Sequence, residues 1–168
     1  MHDFKKERQS EWAVFFPNVV LGFNDALIGL TGALVGFSFA LHDSKLIAVA
    51  GFVAGVSASL SMAASAYQQA RYEEGRNPVK AAVFTGISYF FVTVLLVLPF
   101  VLIANTVAAL ILMGFVTVLL IAAISFYSAR LLKRKYLGQF VEICLFSLGV
   151  AGVTFMIGRL LGGVIGPQ

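Results

Sequence analysis

Five apolar runs, each long enough to cross a bilayer, divide this chain. A spanning helix needs about 20 predominantly apolar residues. The runs over roughly 18–41, 46–70, 79–103, 106–129 and 138–163 all meet that length. Short polar breaks separate them. His42-Asp43-Ser44-Lys45 is a tight turn, Arg71 to Pro78 a charged connector closed by Asn77-Pro78, Asn105-Thr106 a minimal turn, and Arg130 to Lys135 a basic connector. The residues are 60% hydrophobic and 12% charged, with a mean hydropathy of +0.93. A soluble domain is nearer a quarter charged. Alternating strand patterning is absent, which argues against a transmembrane barrel. The expected fold is all-α: a polytopic membrane protein of five transmembrane helices. Residues 1–16 form a polar arm and 17–168 the membrane domain, with Pro17 in the first turn of the first helix, where its missing N–H is harmless.

Charge sets the expected orientation. In a five-span arrangement Lys5, Lys6, Arg8, Arg71, Arg76, Lys80, Arg130, Lys133, Arg134 and Lys135 fall on one side, and only Lys45 and Arg159 on the other. The basic side is cytoplasmic by the positive-inside rule, which places the N-terminus inside and the C-terminus outside. The net charge of +4 needs no nucleic-acid partner, because these basic residues flank spans. Cys144 is the only cysteine, so neither an intramolecular disulfide nor a thiolate cluster is available. Met1 to Trp12 is charged, and no short apolar region with a small-residue cleavage site follows, so no cleavable signal peptide is expected. That absence and the small size point to a prokaryotic plasma membrane.

Asp25 stands out inside the first run. A carboxylate within a span is costly unless it faces a cavity, a partner or an ion, and so marks a candidate ion or proton site. Asp25 and Met62 each lie about eight residues from the basic end of their span, which at 1.5 Å per residue puts both at a depth of about 12 Å. A carboxylate beside a thioether makes a mixed hard and soft ligand pair, better suited to a borderline ion such as Fe²⁺ than to Mg²⁺ or Ca²⁺. Asn24, Ser61, Ser65 and Tyr67 are candidate pathway residues, and Glu73 and Glu74 could gather cations at the mouth. The competing readings are structural. Asn24-Asp25 would cap a helix starting at Ala26, Met62 would fill space, and the serines would bond carbonyls of their own helix. Glu142 would be interfacial and paired with Arg134 or Lys135. Ladders of small residues, Gly51-Gly55-Ser59-Ala63, Gly158-Gly162-Gly166 and Gly32-Gly36, allow close helix approach, either within one subunit or at a dimer face. No nucleotide-binding loop, nucleophile motif or metalloprotease motif appears, so an enzyme is not expected.

Several segments resemble the vacuolar iron transporter family. Asn24-Asp25-Ala26-Leu27 is similar to its Asn-Asp-Gly-Leu. Ala54 to Ala64, ending Ser61-Met62-Ala63-Ala64, is similar to its Ser-Met-Ala-Ala block. Asn77-Pro78-Val79-Lys80-Ala81-Ala82 resembles its entry to span three, and Gly158-Arg159-Leu160-Leu161-Gly162 its last span. The resemblance runs from Pro17 onward. It implies a five-helix homodimer in the lipid bilayer that exports Fe²⁺, and often Mn²⁺, from the cytosol against inward-moving protons. The metal is substrate rather than cofactor. Asp25 and Met62 would then be pathway ligands near the dimer axis. Two departures stand out. The family commonly carries Gly-Glu-Tyr where this chain has Ser65-Ala66-Tyr67, and typical members insert a glutamate-rich cytoplasmic domain where this chain has only Arg71 to Pro78. The alternatives to a metal exporter are a non-transporting membrane scaffold built on the same fold, or a transporter of another cation or solute.

Overall fold

The structure is a computed structural model. It describes residues 2–41, 43–132 and 135–165, with side chains over 14–131 (42 excepted) and 135–163. The expected readings at His42, Lys133, Arg134, Gly166 and Pro167 lie outside the described residues, as do the side chains of Lys5, Lys6 and Arg8.

The chain is all-α. Helix α1 (His2–Asp25) passes through a single π turn (Ala26–Leu30) into α2 (Thr31–Ala40), and α3 (Ser44–Arg71), α4 (Pro78–Leu102), α5 (Thr106–Leu132) and α6 (Tyr136–Ile165) follow. Five stretches are long and apolar enough to cross a membrane: Val14–Ala40, Ser44–Arg71, Pro78–Leu102, Thr106–Leu131 and Tyr136–Gly163. Their boundaries follow the polar breaks. Asp43 caps α3 by accepting the Leu46 N–H at 2.9 Å, and Asn77 caps α4 by accepting the Lys80 N–H at 3.1 Å, with Pro78 at the first helical position. Asn105 accepts the Ala108 N–H at 2.9 Å at the start of α5. Gly75, at φ +76°, turns the connector back toward α4, a conformation that side-chain-bearing residues rarely adopt.

One boundary differs from expectation. Pro17 does not open the first helix but lies inside α1. The preceding arm is rich in Lys, Glu, Arg and Gln, which favour helix, and contains no breaker, so the helix starts before the proline. Pro17 forfeits one backbone bond within the run.

Helix association in a membrane depends on close packing more than on burial of apolar area. The glycine ladders provide it within the chain. On α3, Gly51 faces Leu34 and Val97, and Gly55 sits against Thr93 of α4; a Cβ on Gly86 would lie 3.0 Å from the Ala63 Cβ. On α6, Gly158 packs on the Gly36 carbonyl, and a Cβ on Gly162 would stand 2.8 Å from the Phe39 carbonyl oxygen. Gly22 brings α1 onto the Thr85 carbonyl of α4. Among the ladder residues that are described, these glycines serve contacts inside one subunit. The core that results centres on Leu27, Leu34, Ile47, Leu96, Phe100 and Met113, while large apolar side chains such as Leu60, Phe115 and Leu148 cover the outside.

Candidate functional site

The site is built on the π turn. A π turn inserts one extra residue into a helix, displaces its carbonyls and is often found where function requires it. Here α6 supplies hydroxyls to one carbonyl of the turn and to one in the first turn of α2. Ser147 Oγ donates to the Leu27 carbonyl at 3.2 Å, and Thr154 Oγ1 donates to the Gly32 carbonyl at 2.6 Å. Thr31 Oγ1 and Thr117 Oγ1 of α5 lie 3.4 Å apart in hydrogen-bond contact. Neighbouring Ser and Thr are the usual means of satisfying a broken helix in a membrane. The distortion is therefore held from two sides.

Asp25 is the last residue before this turn. Its backbone is helical (φ −64°, ψ −42°) and its side chain makes no capping bond. The helix neither begins at Ala26 nor needs Asp25 to start it, so the capping reading fails. The carboxylate is exposed on the flank of the single chain and has no hydrogen bond or ion pair among the described residues. Tyr89 of α4, only 3% exposed, lies within electrostatic reach of it. Met62 is half-buried and packs on the core cluster that contains Ala26 and Leu27, the two residues after Asp25. The π turn itself touches both α3 and α4.

The remaining candidates divide into two groups. Ser57, Ser61 and Ser65 form an exposed stripe along α3 at four-residue spacing, and none has a hydrogen-bond partner among the described residues. Ser59, by contrast, is buried and donates to the Val56 carbonyl at 2.8 Å, as a purely local role would require. Tyr67 lines a groove of about 510 Å³ with Ala63, Ala64, Gln68, Arg71, Tyr72 and Ala82. Glu73 is engaged: Arg76 forms an ion pair with it, and Gln69 Nε2 donates to its Oε1 at 3.1 Å. Glu74 is exposed, without an ion pair among the described residues. Ala66, where the resemblance leads one to look for a carboxylate, is 3% exposed and lies inside the bundle.

Sequence reasoning missed a polar latch at the basic end. Arg76 Nη2 donates to Asn18 Oδ1 at 2.6 Å, and Asn18 Nδ2 donates to Thr85 Oγ1 at 3.2 Å. The connector, α1 and α4 are thereby tied together beside Phe15 and Phe84, whose rings stack 5.5 Å apart. Buried Asn18 in an apolar run was the available signal. Asn24 was singled out beside Asp25, but it turns to another side of α1. It lines a cleft of about 390 Å³ with Pro17, Val20, Gln139, Glu142 and residues of the adjoining turns. The expected pairing of Glu142 with Lys135 is not formed.

Fold and site together define a multi-pass membrane protein with an unpartnered carboxylate on one flank of its first span. The VIT family model matches residues 16–75 and 69–159, and the chain belongs to the VIT family, a family of metal transporters. The two matched segments overlap over residues 69–75, at the α3–α4 connector. Neither the curated proteins nor the solved structures give a match.

Proposed function

We propose that this chain exports a divalent metal, Fe²⁺ or Mn²⁺, from the cytosol as a homodimer in exchange for protons, with its N-terminus cytoplasmic. The observation that carries the reading is the Asp25 carboxylate, exposed on a membrane span without a partner. Lipid is an unfavourable neighbour for it. A second copy related by a two-fold axis presents the same face, so two Asp25 and two Met62 side chains would flank one axis. Two carboxylates and two thioethers suit Fe²⁺ and disfavour Mg²⁺. The exposed serine stripe of α3 supports the same face, because hydroxyls serve a hydrated path or a partner better than acyl chains.

Asp25 binds the ion as carboxylate and releases it when protonated. Glu74 offers a negative charge at the mouth; Glu73 is held by Arg76 and Gln69 and acts through the latch. The test is export from cells loaded with Fe²⁺ or Mn²⁺. Asp25→Ala should abolish export while the protein still elutes as a folded dimer, and wild-type export by that variant would remove Asp25 from the pathway.

A second reading has one observation in its favour. Ala66 leaves the bundle interior without the carboxylate that typical family members carry, so the chain could be a scaffold that binds no metal. Equilibrium binding of Fe²⁺ to purified protein separates the two readings, since only the transporter has Asp25-dependent binding.

A further inference from the structure

The cleft between α1 and α6 points to a second cation site that does not depend on Asp25. Its walls come from one face of each helix: Pro17, Val20, Asn24 and Ile28 on one side, and Gln139, Glu142, Ile143 and Phe146 on the other. Asn24 Oδ1 and Gln139 Oε1 are both buried, and neither accepts a hydrogen bond among the described residues. Glu142, one turn beyond Gln139 on the same face, forms no ion pair among the described residues. Two orphaned amide oxygens and an unpaired carboxylate thus line one cavity.

We propose that Asn24, Gln139 and Glu142 bind a hydrated hard divalent cation, of the class of Mg²⁺ and Mn²⁺. Buried acceptors almost always have a partner, and the described residues supply none, so a donor or cation from outside fits the site. Among the described residues no basic side chain lines the cleft, which disfavours an anion. No thiol, thioether or imidazole among the described residues lines it either, which disfavours a soft ion. The size also fits. At about 30 Å³ per water, a shell of six occupies about 180 Å³, well within a cleft of about 390 Å³. Mg²⁺ keeps most of its water and is commonly held through one or two carboxylates. Glu142 supplies the charge, and the two amide oxygens accept from the ion's water shell or bind the ion directly. The site occupies a different side of span one from Asp25 and would differ from it in selectivity.

The experiment uses the full chain in nanodiscs of zwitterionic lipid, with Mn²⁺ as the probe. Bound metal is measured by equilibrium dialysis and the spin-resonance signal of free Mn²⁺. In Asp25→Asn, which removes the other site's charge, one Mn²⁺ per chain should remain bound, and Mg²⁺ should displace it. Adding Glu142→Gln should weaken that binding by about 10-fold or more, and adding Gln139→Leu by a smaller factor, in the range of supporting metal contacts. The proposal is overturned if Asp25→Asn binds no Mn²⁺, if Mg²⁺ fails to compete, or if Glu142→Gln leaves the affinity unchanged. Should Glu142→Gln not yield folded protein, Mg²⁺ competition and Gln139→Leu on the Asp25→Asn background decide. Failure of Asp25-dependent export would leave this result unaffected, so the two readings fail separately.

Discussion

The two halves of the bundle are built on different terms. In the half away from the basic connectors, backbone meets backbone and polar groups are closed within the protein. Gly158 rests on Gly36, Gly162 on Phe39, Thr154 reaches the Gly32 carbonyl, and Ser44 Oγ donates to the carbonyls of Phe100 and Ile103 at 3.0 and 2.7 Å. In the basic half the latch is closed within the protein, but several other buried polar atoms are left open. Asn24 Oδ1, Arg76 Nε, Ser125 Oγ, Ser128 Oγ and Gln139 Oε1 have no partner among the described residues, and all five belong to this half. The π turn, with Asp25 just before it, marks the boundary. One half therefore closes its polar groups within the protein, and the other also holds polar groups placed to meet water or ions.

Substitutions can break this contrast. The largest loss of stability should come from the sealed half. Gly158→Val drives a side chain into the Gly36 carbonyl and should cost about 1–3 kcal/mol, the range for overpacking, seen as a lower midpoint of thermal unfolding in detergent. A midpoint equal to wild type would mean that the α2–α6 contact is not the seal described. Arg76→Ala comes next. It removes the donor to Asn18 and the counter-charge of Glu73 and should cost about 1–2 kcal/mol, since it leaves a buried acceptor open. A midpoint equal to wild type would show that the latch does not tie the basic end together.

The smallest effects test the open half by their sign. Ser125→Ala and Ser128→Ala delete hydroxyls that have no protein partner. Each should lower stability by less than about 1 kcal/mol if water satisfies the hydroxyl, whereas a dry site should gain from the deletion. Gly138 of α6 has open space where a Cβ would go. Gly138→Ala should accordingly raise stability by about 0.5–1 kcal/mol through helix propensity alone, the reverse of Gly158→Val.

Much of this architecture was legible in the residues. Run length and polar breaks located the five spans because apolar length is dictated by bilayer thickness. The glycine ladders were visible, but whether they face inward or toward a partner depends on the azimuth of each helix, which periodicity alone left open. The π turn left no distinct mark, because Ala26 to Leu30 suits an α-helix as well; its Leu27 carbonyl is held by Ser147, more than a hundred residues away in sequence. Pro17 misled for a local reason, as the helix-favouring arm before it carries α1 through. Asp25 was conspicuous as a charge in an apolar run. Gln139 was not, because an amide near a helix start looks interfacial until α1 is laid beside it.

The central claim is that Asp25 carries a metal across the membrane against protons. The most direct measurement is Fe²⁺ and Mn²⁺ flux into proteoliposomes holding wild type or Asp25→Ala, with a pH dye sealed inside. The account predicts metal uptake with opposing proton movement in wild type, and a loss of about 100-fold or more in Asp25→Ala, at the upper end of effects at metal sites. Equal flux in both proteins, or flux in neither from folded dimer, would contradict it.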